Sequence, residues 1–145
     1  GSNERVVLLV EEPDYARYIT SNFLLQQGVR FNCVAVNNAF DNSISAPDNL
    51  RDWFMSFSAC VVHLRFLWQL NIIEEILQFD SKLPMALLIP TEGALDSDLY
   101  EYLPEFKNTH TGVPVFGKDA EKIKDLISGL RQFLGNKNLL IEEET

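Results

Sequence analysis

The chain has 145 residues, 46% of them hydrophobic, which suits one domain with one core. Its formal net charge of -9 argues against a nucleic-acid role, because phosphate binding needs clustered Lys and Arg, and against an anionic membrane surface. No apolar stretch approaches the length of a spanning helix and no signal peptide is visible, so a reducing, cytoplasmic setting is expected.

The two cysteines, Cys33 and Cys60, lie inside apolar runs and read as small hydrophobes rather than a disulfide or metal pair. His63 and His110 belong to no Cys/His cluster with zinc spacing. No metal and no cofactor are expected.

Val6 to Val10 is an unbroken apolar run, as in a strand covered on both faces of a parallel sheet. Glu11 and Glu12 end it. Pro13 and Asp14 then open a helix, since Pro is tolerated in the first turn and a carboxylate favours the positive end. Tyr15, Ile19 and Phe23 stack at i, i+4, and Gln27-Gly28 marks the expected stop. Phe31 to Val36 is the second predicted strand. Asn37 to Asn49 reads as a long polar loop. Asp48 is a plausible cap for a short helix through Leu50, Trp53, Phe54 and Phe57.

Ala59 to Leu64 is the third strand. Arg65 to Phe79 has Leu67, Leu70, Ile73, Ile76 and Leu77 at helical spacing. Met85 to Ile89 is the fourth strand, stopped by Pro90. A helix from about Ser97 to Phe106 follows, with Pro104 as a disturbance. Val113 to Phe116 is a short fifth strand, and Pro114 fits an edge. Ala120 to Phe133 is the last helix, ended by Gly135. The domain is expected over residues 4–135, with 136–145 an acidic tail or the start of a linker. Five strands alternating with five helices predict an α/β fold. Its sheet is doubly wound, five-stranded and parallel, flavodoxin-like, in the order 2-1-3-4-5.

In such a fold ligands bind at the carboxyl ends of the strands. There the chain offers Glu11 and Glu12, then His63 and Arg65, then Pro90 and Thr91, then Gly117 and Lys118. Leu8-Leu9-Val10-Glu11-Glu12-Pro13-Asp14, with this element order, resembles the receiver domain of bacterial two-component response regulators. The resemblance implies that the acidic pair holds Mg²⁺ and that an Asp ending strand three takes a phosphoryl group. It also implies a Thr or Ser after strand four that senses the group and a Lys after strand five that contacts it.

Residue by residue the pattern then departs. Glu11 and Glu12 fall on the acidic pair. The acceptor position falls on His63, and no Asp or Glu occurs from Ala59 to Leu70. Thr91 reaches the hydroxyl position only by a shift, whereas Lys118 fits the lysine. Two glutamates make a poor octahedral site, and the carboxylate nucleophile is missing. A contact of His63 with Glu11 or Glu12 would replace the metal's electrostatic work, and Lys118 either pairs with one of the two glutamates or stays solvated.

The expected protein is therefore a non-catalytic, receiver-like regulatory domain. It would act in signalling or transcription control through a protein partner, an adjacent output domain or a homodimer. The family's working face corresponds to Ser97–Phe133, where Tyr100, Tyr102 and Phe106 are candidate exposed anchors. Two alternatives stay open: a phosphorylatable or metal-binding receiver, and a domain sensing a small second messenger. G-x-G-x-x-G and G-x-S-x-G are absent, and strand alternation puts Cys60 and His63 on opposite faces, a poor dyad.

Overall fold

The computed structural model describes residues 5–24, 29–41, 47–91, 96–118 and 123–140. The strands are β1 (Arg5–Val10), β2 (Val29–Val34), β3 (Ala59–His63), β4 (Met85–Pro90) and β5 (Val115–Lys118). The helices are α1 (Pro13–Ser21), α2 (Val36–Asp41), α3 (Pro47–Met55), α4 (Leu67–Phe79), α5 (Ser97–Thr109) and α6 (Ile123–Asn136). All strand pairs are parallel, in the order β2-β1-β3-β4-β5. The expected α/β fold and strand order are what the chain adopts. Among the described residues no helix is long and apolar enough to cross a membrane.

The apolar runs form strands because both faces of the sheet are covered. Leu8, Val10, Cys60, Val62, Met85 and Leu87 point to one layer, packed by α2, α3, α4 and α5. Val7, Leu9, Ala59, Val61, Ala86 and Leu88 point to the other, packed by α1 and α6. The central positions of β1, β3 and β4 are fully buried or nearly so. The chain leaves β1 toward β2 and returns as β3 on the other side, so the switch point lies between β1 and β3.

Several boundaries differ from expectation, each for a local reason. α1 ends at Ser21, before the expected Gln27-Gly28 stop, which lies outside the described residues. The Ser21 hydroxyl and the Asn22 amide both donate to the Tyr18 carbonyl and so compete with the helix ladder. β2 begins and ends two residues earlier than predicted, held by Arg5 opposite Val29 and by Glu11 N–H donating to Val34. Val36 thus starts α2 within the stretch read as strand and loop. Val36, Ala39 and Phe40 bury one side of that turn, and this burial outweighs the weak helix propensity of Asn37 and Asn38. The described residues therefore hold six helices rather than five. Asp48, expected as a cap, falls inside α3.

β5 is shifted two residues later than expected. Pro114, which lacks an N–H, precedes the strand and gives only its carbonyl, to Leu87 N–H. Lys118 becomes the last strand residue. α5 continues through Pro104, which is exposed and costs the helix one hydrogen bond of its ladder. Asp96 starts this helix by accepting from Asp98 N–H and also takes Leu67 N–H at 2.8 Å, tying the starts of α4 and α5. α6 passes through Gly135 and ends at Asn136, and Asn138 just beyond it has a φ of 58°. Leu139 N–H reaches back to Leu134, Asn138 N–H to Gly135, and Leu139 is buried, a Schellman stop with its apolar contact. The packed chain thus runs beyond residue 135.

Candidate functional site

β1, β3 and β5 end at the same edge of the sheet and deliver Glu11, His63 and Lys118 to one point. Lys118 Nζ donates to Glu11 Oε1 at 2.8 Å and lies 3.3 Å from His63 Nδ1. His63 Nδ1 is 3.9 Å from Glu11 Oε1. The ammonium also sits 3.9 Å from the centre of the Tyr15 ring. Its hydrogens therefore meet a carboxylate, an imidazole nitrogen and an aromatic face. Glu12 N–H donates to Glu11 Oε1 at 2.7 Å as well, while Glu11 Oε2 is buried without a hydrogen-bond partner among the described residues.

The cluster is dry. The side chains of Glu11, His63 and Lys118 are 0%, 3% and 8% exposed. Burial raises the Glu11 carboxyl above its ordinary range, with the Lys118 hydrogen bond and charge pulling the other way. Burial first, then Lys118 and Arg65, lower His63 to about 3. His63 is thus neutral, and Nδ1 facing an ammonium is the acceptor nitrogen of the ring.

Glu12, the other member of the acidic pair, turns outward. It meets Arg65 Nη1 at 3.5 Å, with both side chains about half in solvent, a pair worth about 0–1 kcal/mol. Thr91 is exposed and its hydroxyl donates to the Lys118 carbonyl at 3.3 Å, away from the cluster. Of the five residues read as a pocket, three converge and two flank them.

These residues do not fit a hard divalent cation. The ammonium of Lys118 occupies Glu11 Oε1 and holds a positive charge where a cation would sit, and an imidazole stands where a third carboxylate is needed. Among the described residues no three His, Cys, Asp or Glu side chains come together as a metal group.

One candidate exposed anchor is corrected. Phe106 is fully buried in the core, because it lies on the same face of α5 as Leu99 and Leu103. Tyr100 and Tyr102 are half-buried. The Tyr100 hydroxyl donates to the Pro90 carbonyl and that of Tyr102 to Glu74 Oε2 at 2.9 Å. Glu74 Oε2 also meets His110 Nε2 at 3.1 Å.

Four features beside the cluster are not legible in the sequence. The spacing of Tyr15 marks it as a packing residue, and its place in the first turn after a strand end is the one signal of its position over Lys118. Gln69 accepts from the N–H groups of Arg65 and Phe66, fixing the loop beside the cluster. Phe66 and Trp68 stack there, partly in solvent. A depression of about 300 Å³ between α1 and the end of β2 has Glu11, Ala16, Thr20 and Cys33 in its wall.

No protein-family model, curated protein or solved structure matches the chain.

Proposed function

We propose that the chain is a receiver-like regulatory domain without phosphotransfer, acting through contacts with a protein partner or an adjacent domain. The buried Lys118–Glu11 pair, closed by His63, carries this reading. Phosphoryl transfer to a carboxylate needs an acidic nucleophile, a metal and a free cation at one open edge. Here the strand-three position is a neutral, buried imidazole, and the cation is already neutralised by the carboxylate. A fixed internal charge pair gives the strand edge one constant shape, and function then falls to the outer surface.

The test is titration with Mg²⁺ and beryllofluoride, read by amide NMR. Unmoved resonances at Glu11, Glu12 and Lys118 are expected. Saturable shifts at those amides that require both additions would sink the proposal and point to a working phosphoryl site.

A second reading, sensing of a small ligand, draws on the depression between α1 and β2, whose volume lies at the small end for ligand sites. Protection of the exposed Cys33 thiol from alkylation by a candidate second messenger would favour it.

A further inference from the structure

Among the described residues, α4 leaves an apolar face in solvent. Leu70, Ile73, Ile76 and Leu77 bury its inner side. Trp68, Ile72, Glu75 and Phe79 follow each other at i, i+4, i+7 and i+11 on another side. Trp68 is 46% exposed and Phe79 is 60% exposed. Ile72 is half-buried between them, and Glu75 is exposed.

A single exposed aromatic residue needs no explanation. These are held in place. Trp68 stacks on Phe66 with ring centres 6.4 Å apart and planes 12° apart, and meets Phe40 edge-on at 5.8 Å. The guanidinium of Arg51 lies 3.9 Å from the centre of the Phe79 ring. An aromatic side chain already ordered loses little entropy on binding, the property that makes Trp a frequent anchor at interfaces.

The charge around the stripe selects the partner. α4 contains Glu74 and Glu75 and neither Lys nor Arg. Glu74 is engaged by Tyr102 and His110, which leaves Glu75 as the acid facing out. Asp41, next to Phe40, is also exposed. The whole chain carries -9. Arg51, a cation beside the stripe, is seated on Phe79 and lies 3.6 Å from Asp52, so a second copy docking by the same face offers Glu75 only acid and a committed cation. A segment with apolar and basic residues on one side would match both the rings and the charge, and Arg51 over Phe79 is an example of that chemistry within the chain.

We propose that the outer stripe of α4 docks a basic amphipathic helix of a partner protein, with apolar side chains on Trp68 and Ile72 and an Arg or Lys beside Glu75. The proposal rests on the reading that the domain works by presenting a surface.

The experiment uses a labelled helical peptide with Leu on one face and Arg beside it, and a control with Glu in place of Arg. Binding is followed by fluorescence anisotropy at low and high salt. The basic peptide is expected to bind, more weakly as salt rises, and the acidic one is not. Trp68→Ala should weaken binding about tenfold. Glu75→Arg, a change at an exposed position that leaves the fold intact, should weaken it about as much and admit the acidic peptide. Equal binding of both peptides, no binding of the basic one, or binding indifferent to both substitutions would overturn the proposal. So would self-association that Trp68→Ala abolishes, which would assign the stripe to a second copy. Failure here and failure of the functional reading are separable. The first leaves the Glu11, Glu12 and Lys118 amides silent toward Mg²⁺ and beryllofluoride, and the second moves them whatever the peptide does.

Discussion

Lys118 Nζ donates to Glu11 Oε1 at 2.8 Å across a sequence separation of 107 residues, and both side chains are nearly sealed from solvent. This contact joins the ends of β1 and β5, which are not neighbours in the sheet. It bridges over β3 and β4, with His63 from β3 beneath it. Removing one partner leaves the other charge buried without compensation. Lys118→Met should therefore cost about 3–5 kcal/mol of unfolding free energy. Lys118→Met combined with Glu11→Leu should recover much of that loss. Urea unfolding of the two single variants and the double variant measures the coupling, and additive losses would show that the pair is not a unit.

Acid stability should carry the signature of His63. Its value falls from the ordinary 6.5 to about 3 in the folded chain. Between those values the unfolded state takes up a proton that the native state refuses, so stability falls as pH falls. The loss from this residue is about 2 kcal/mol by pH 5 and about 4 kcal/mol by pH 3. Glu11 acts in the opposite sense. Its raised carboxyl favours the folded state when protonated, and that contribution is lost as pH rises through the folded value. His63→Gln keeps an acceptor for Lys118 and cannot titrate. Its unfolding free energy should vary less between pH 6.5 and pH 4 than that of the parent chain, and an unchanged slope would falsify the assignment.

The two thiols should separate cleanly. Cys33 is exposed on the edge strand β2, while Cys60 is fully buried and its thiol is pushed far up by burial. A disulfide reagent should titrate one thiol in the native chain and two in denaturant. Cys60 should react at the rate of global unfolding, and prompt reaction of both would mean that the β3 core opens locally.

Gly129 decides between propensity and packing. Alanine inside a helix is favoured over glycine by about 1 kcal/mol. A Cβ at Gly129, however, would stand 2.4 Å from Cε1 of Phe116. Overpacking of this kind costs about 1–3 kcal/mol, so the clash should win and Gly129→Ala should lower the melting temperature. Adding Phe116→Leu should return part of it. A Gly129→Ala variant more stable than the parent would show that the ring moves aside freely.

Local pattern was enough for the architecture. The apolar runs at Val6–Val10, Ala59–His63 and Met85–Ile89, separated by helical periods, dictate buried parallel strands, and crossover handedness then leaves few sheet orders. The acidic pair, the imidazole, the threonine and the lysine could also be placed at one edge, because strand ends share an edge in any such sheet. Local pattern could not say which of them meet. Glu11 and Glu12 are adjacent in sequence just past the end of β1, yet one is sealed against Lys118 and the other turns out to Arg65. Tertiary packing also overrode propensity at α2 and moved β2 and β5 by two residues, since register follows the neighbouring strand. Exposure was decided in three dimensions as well. The periodicity of Tyr100, Tyr102 and Phe106 is the same whether a neighbouring helix covers them or not. Here Phe106 is buried in the core and Tyr100 and Tyr102 are half-buried against it, while Trp68 and Phe79 are exposed. A sequence records which residues share a side of an element, and only the assembled layers determine which sides remain in water.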